Sequence, residues 1–87
     1  EAFSLDTAYP NPFNPVTTLS FALPVTSNVL LEVYDINGRL INELIKSNMD
    51  AGYHSVIWNA DNNASGVYFV KMVAGDFVNT QKLMLVK

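Results

Sequence analysis

Apolar and polar side chains alternate along most of this chain, which is the period of a strand with one face buried. Leu19, Phe21 and Leu23 alternate with Thr18, Ser20 and Ala22, and Pro24 ends that run. Val29, Leu31 and Val33 alternate with Leu30, Glu32 and Tyr34. After a turn at Gly52, His54, Val56 and Trp58 share one face, with Tyr53, Ser55 and Ile57 on the other. Tyr68, Val70 and Met72 oppose Val67, Phe69, Lys71 and Val73, and a turn at Ala74-Gly75-Asp76 leads into a final strand. Adding an N-terminal strand near residues 3–8 gives about seven short strands separated by turn residues, the pattern of an all-β sandwich.

Two stretches depart from simple alternation. In "DINGRLINELIK", Asn37-Gly38 is a strong hairpin signal and predicts a type I′ turn with positive φ at both central residues. Beyond it, Leu40, Ile41, Leu44 and Ile45 have spacings that also fit a helical turn. The hairpin signal favours a strand, and a β-bulge accounts for the uneven pattern.

The other is "YPNPFNPVTTLSF", with Pro10, Pro12 and Pro15 within six residues. Proline lacks the N–H that a central ladder needs, and it biases Tyr9, Asn11 and Asn14 towards extended backbone. This segment therefore reads as a rigid corner carrying the chain from the first strand to the second, with a crossing to the opposite sheet as one option. Asn11 and Asn14 are expected to bond nearby backbone in Asx turns. Phe13, with Tyr9, is expected to plug the end of the core.

Composition narrows the classes of function. Eighty-seven residues, 49% hydrophobic and 15% charged, suit one packed domain spanning residues 1–87. A net charge of −3 with five cations disfavours nucleic acid, which needs a basic patch. No apolar run approaches the roughly 18 residues of a membrane span, and no basic-then-apolar leader opens the sequence. With no cysteine, the fold relies on packing alone in whatever compartment it occupies.

Candidate chemistry is sparse. His54 is the single histidine, the carboxylates are not paired, and no serine sits in a nucleophile elbow, so no catalytic residue, metal site or cofactor is expected. Asp35-Ile36-Asn37-Gly38 starts like a calcium loop but lacks the later ligands, which leaves the hairpin reading. Asp61, Asn62 and Asn63 offer oxygens in what reads as a solvated loop. Asn63-Ala64-Ser65 and Asp6-Thr7-Ala8 match short glycosylation motifs that arise readily by chance.

Trp58 and Tyr68 fit a sandwich core. A solvent-facing sugar platform would instead need Tyr53, Trp58 or Tyr68 on the surface. In "KLMLVK", Leu83 and Leu85 alternate with Met84 and Val86 between Lys82 and Lys87. Apolar residues on both faces suit either a strand buried on both sides or an edge strand read by β-augmentation, with the lysines guarding against aggregation.

Taken together, "YPNPFNPVTTLSFALP", "VLLEVYDINGRLI", "AGYHSVIWNADNNASGVYFVKM" and "QKLMLVK", in this order, resemble the type A C-terminal sorting domain of the type IX secretion system. This is the Por secretion C-terminal domain family of Bacteroidetes and related bacteria. The immunoglobulin-like domain of flagellar hook-capping proteins shares part of the pattern.

The resemblance implies an immunoglobulin-like β-sandwich and a non-catalytic addressing role. Such a domain folds in the periplasm, engages an outer-membrane translocon and carries its covalently linked upstream cargo to the cell surface or beyond. A sortase-like peptidase often removes it and attaches the cargo to the surface. By that analogy the chain is the C-terminal piece of a longer secreted precursor. Recognition is expected at Gly66, Tyr68, Lys82, Leu83, Met84, Leu85, Val86 and Lys87, with weak self-association through an open sheet edge as a further option. The competing readings are a carbohydrate-binding accessory module and a structural spacer.

Overall fold

The structure, a computed structural model, describes residues 2–87. Its strands are β1 (Ser4–Leu5), β2 (Val16–Leu23), β3 (Ser27–Asp35), β4 (Leu40–Met49), β5 (Gly52–Asn59), β6 (Gly66–Ala74) and β7 (Phe77–Leu85). They form two antiparallel sheets, β1-β2-β5 and β4-β3-β6-β7. The chain changes sheet after β2, β4 and β5, the crossovers of an immunoglobulin-like sandwich. The N-terminal strand is shorter than residues 3–8, because only Ser4 and Leu5 pair with Ala22 and Phe21.

The alternation in the sequence is what fills the core. Leu19, Phe21 and Leu23 of β2 face Val29, Leu31 and Val33 of β3, and all six are buried. Val70 and Met72 extend the β3 face through the pairs Val33–Val70 and Leu31–Met72. Each such side chain contributes roughly 1.5–3 kcal/mol by leaving water.

The β3–β4 hairpin differs from the type I′ expectation. Gly38 has φ 79°, but no described residue other than glycine has positive φ, so Asn37 does not take the left-handed conformation. Gly38 N–H donates to Asp35 C=O at 3.0 Å, and Asp35 N–H donates to Arg39 C=O at 3.0 Å. This is the three-residue loop in which a turn is followed by a left-handed glycine bulge. Asp35 selects it: Oδ1 accepts from the backbone N–H groups of Asn37 (2.8 Å) and Arg39 (3.0 Å), and Oδ2 pairs with Arg39 Nε (3.2 Å). The Arg39 N–H bond foremost, with the other bonds and the guanidinium charge, holds the Asp35 carboxyl below its ordinary range.

The bulge expected beyond that turn is present twice. Leu31 pairs with Ile45 while Glu32 pairs with Glu43, and Val33 pairs with Asn42 while Tyr34 pairs with Leu40. Leu44 and Ile41 are therefore the extra residues. Each insertion resets which side chains face inward, so Ile41, Leu44 and Ile45 all pack against the core despite their uneven spacing.

Candidate functional site

The proline segment positions the site, and it does so differently from the expectation. It leaves and re-enters the same sheet, since β1 and β2 are neighbours. Between them it swings across the end of the sandwich and touches the opposite sheet at its edge strand, where Phe13 bridges to Leu85 in parallel. The Tyr9–Pro10, Asn11–Pro12 and Asn14–Pro15 peptide bonds are cis. Phe13 is buried as expected, but Tyr9 is 80% exposed and plugs nothing, because its backbone pairing with Thr18 sends the ring outward. Asn11 makes its bonds at long range instead of a local Asx turn. Its Nδ2 donates to Lys82 C=O and its Oδ1 accepts from Met84 N–H, both at 3.0 Å.

Behind this corner lies an aromatic cluster. Trp58 stands between Phe13, at 5.5 Å between ring centroids, and Tyr68, edge-on at 5.5 Å. Both polar tips are paired: the Trp58 indole donates to Asn42 Oδ1 (3.0 Å) and the Tyr68 hydroxyl to Ala64 C=O (2.6 Å). Thr17, the adjacent buried polar residue, donates its hydroxyl to Pro10 C=O at 2.7 Å. Trp58 and Tyr68 are 2% and 8% exposed while Tyr53 is 78% exposed on the opposite face, so the three form no aromatic strip. Trp58 and Tyr68 are therefore unavailable to a sugar platform, which leaves Tyr53 as the exposed ring of the three. His54 stacks half-buried on Phe21 at 5.4 Å, with Nε2 2.7 Å from Asp50 C=O.

The last strand is an edge strand buried on one face only, not on both. Leu83 and Leu85 are fully buried, while Met84 is 38% and Val86 51% exposed. Lys82, Met84 and Val86 thus form an outward row, with Lys87 also exposed. Gly66 and Tyr68 lie across the ladder, paired with Leu85 and Leu83. Of the eight residues expected at the recognition site, Gly66, Lys82, Met84, Val86 and Lys87 reach the surface. Tyr68, Leu83 and Leu85 lie beneath it and fix the pose of the strand.

The chain end is tied down by the loop between β5 and β6. Lys87 N–H donates to Ser65 Oγ at 3.0 Å. Its ammonium donates to the carbonyls of Asp61 and Asn63. The cation that these loop oxygens hold is therefore the side chain of Lys87. Among the described residues, no three His, Cys, Asp or Glu side chains gather as metal ligands would.

Three polar residues shape this corner through contacts that the sequence did not indicate: Asn11, expected to bond locally, and Asn42 and Gln81, for which it offered no role. Gln81 Nε2 donates to Leu5 C=O (2.8 Å) and Asp6 C=O (2.9 Å), fastening β7 to the first strand of the other sheet. Their partners lie up to 76 positions away, beyond the reach of periodicity or turn chemistry. The one local signal was at Asn11: an amide between two prolines, where the backbone has few donors of its own.

No curated protein matches this sequence. A family model described as the secretion system C-terminal sorting domain matches residues 7–87, which takes in the proline corner and every strand from β2 to β7. With that match over nearly the whole chain, and an all-β sandwich of the expected kind beneath it, the chain belongs to the secretion system C-terminal sorting domain family, the sorting signals of type IX secretion.

Proposed function

We propose that this domain is the C-terminal unit of a longer secreted precursor and that the outer-membrane translocon reads it at the outward row of β7. One observation carries the reading. Lys82 and Met84 of β7, and Val86 just after it, project outward between Leu83 and Leu85, which are locked in the core. A cation and two apolar side chains are thereby held in a fixed row beside Lys87, itself fastened to the loop. A pre-ordered row loses little side-chain and backbone entropy on capture, which favours binding to a small surface.

In this reading the domain folds in the periplasm, is captured through Lys82, Met84, Val86 and Lys87 beside Gly66, and brings its covalently linked cargo across the outer membrane. Tyr68, Leu83 and Leu85 act from below by holding the strand in place. A sortase-like peptidase then removes the domain and attaches the cargo at the cell surface. The domain itself performs no chemistry.

The test is a reporter carrying a signal peptide and this domain in a type IX-competent host. Deleting residues 83–87 should leave the reporter in the periplasm. That deletion also removes two core leucines, so a K82E/M84E variant, which leaves the core intact, should stall in the same way while keeping its thermal transition. Normal surface yield from the folded K82E/M84E variant would refute the assignment of the row.

A further inference from the structure

The outer edge of β7 from Lys82 onward, with Val86 that follows it, is occupied by the chain's own proline segment. Asn11 bonds Lys82 C=O and Met84 N–H through its side-chain amide, each at 3.0 Å. Phe13 continues with its main chain, donating to Met84 C=O and accepting from Val86 N–H, each at 3.0 Å. Four successive outward-facing backbone groups are therefore paired. A carboxamide presents donors and an acceptor in one plane, as a peptide unit does, so Asn11 supplies the ladder bonds that Pro10 and Pro12 cannot. An open strand edge is a template for another strand. Along this half of β7 the template is already filled.

We infer that residues 11–13 serve as a surrogate edge strand that seals the end of β7, with Asn11 as the positioning residue. The secretion machinery then meets the last strand through its outward side chains and not by adding a strand to its edge. The second statement rests on the sorting role proposed above, whereas the seal itself stands on the hydrogen bonds.

Amide hydrogen exchange on the 87-residue chain tests the seal. Losing one net hydrogen bond in Asn11→Ala should speed exchange at Met84 about tenfold. Leu83 and Leu85, whose N–H groups face β6, and Val86, held by Phe13, should stay within about twofold of wild type. Asn11→Asp keeps an acceptor for Met84 N–H and should restore much of its protection. Equal acceleration at all four amides, or fast exchange at Met84 in the wild type, would overturn the seal.

Reporter export tests the consequence. Asn11→Ala should be exported no better than wild type, and Met84→Glu should stall. Improved capture of Asn11→Ala would mean that the machinery uses the freed edge, which would overturn the side-chain route. Failure of the wild-type fusion to leave the cell would instead count against the sorting role, and the exchange pattern would still decide the seal.

Discussion

The indole N–H of Trp58 in β5 donates to Asn42 Oδ1 in β4 at 3.0 Å, joining the two sheets by a side-chain bond. Trp58 is 2% exposed but Asn42 lies at the surface, so water can reach the indole once the amide is gone. Asn42→Ala should therefore cost about 0.5–1.5 kcal/mol, the net worth of one hydrogen bond. In a domain of this size each kcal/mol lowers Tm by about 4–8 °C. Thermal unfolding followed by Trp58 fluorescence measures it, and an unchanged Tm would show that the bond contributes nothing.

Phe13 and Tyr9 flank the same proline run but differ in burial. Phe13→Ala removes a ring packed against Trp58 and should cost about 3–5 kcal/mol. Tyr9→Ala, at an exposed position, should stay within about 0.5 kcal/mol of wild type. Urea denaturation of the two variants separates them. Equal losses would mean that the corner contributes as a backbone brace and not through the Phe13 ring.

Gly66 has φ 150°, and a Cβ built there meets no atom within 4 Å. Gly66→Ala should thus be destabilising through the backbone alone, by about 1–3 kcal/mol. Gly66→Ser should lose a similar amount, since space is not the constraint. A loss that grew steeply with side-chain size would point to a steric cause instead.

Asp35 gives a pH dependence with a definite sign. Its folded pKa lies below the ordinary 3.8, so its contribution is fully present above that value and disappears as the pH falls through the lower folded pKa. Asp35→Ala should be less stable than wild type at neutral pH, and the gap should narrow below pH 3.8. Tm measured against pH for both proteins gives the comparison. A gap independent of pH would mean that the turn is held by its backbone bonds and not by the carboxylate.

The removal of Lys87 should loosen the loop more than the core. Lys87 donates to Ser65, Asp61 and Asn63, and all of these bonds are solvent-exposed. Deleting it should speed amide exchange in residues 60–65 while leaving global stability within about 0.5 kcal/mol. Unchanged exchange in that loop would show that the chain end does not hold it.

The sequence by itself determined the family, the number of strands and the inward faces of the central ones. Leu19, Phe21 and Leu23, like Val29, Leu31 and Val33, carry their burial in a two-residue period, because a pleated strand turns alternate side chains to one side. The presence of the Asn37-Gly38 hairpin and the irregularity at Ile41 and Leu44 were also legible, since glycine conformation and bulges act over a few residues, but the turn type was not, because Asp35 selects it. Tertiary structure alone decided which sheet each strand joined, that the proline run returns to its own sheet, and that Asn11, Asn42 and Gln81 find partners far along the chain. It also decided that β7 is an edge strand with one buried face, although "KLMLVK" reads as apolar on both. Local patterns record only a residue's own geometry. Which backbone edges and polar tips meet depends on how the two layers close.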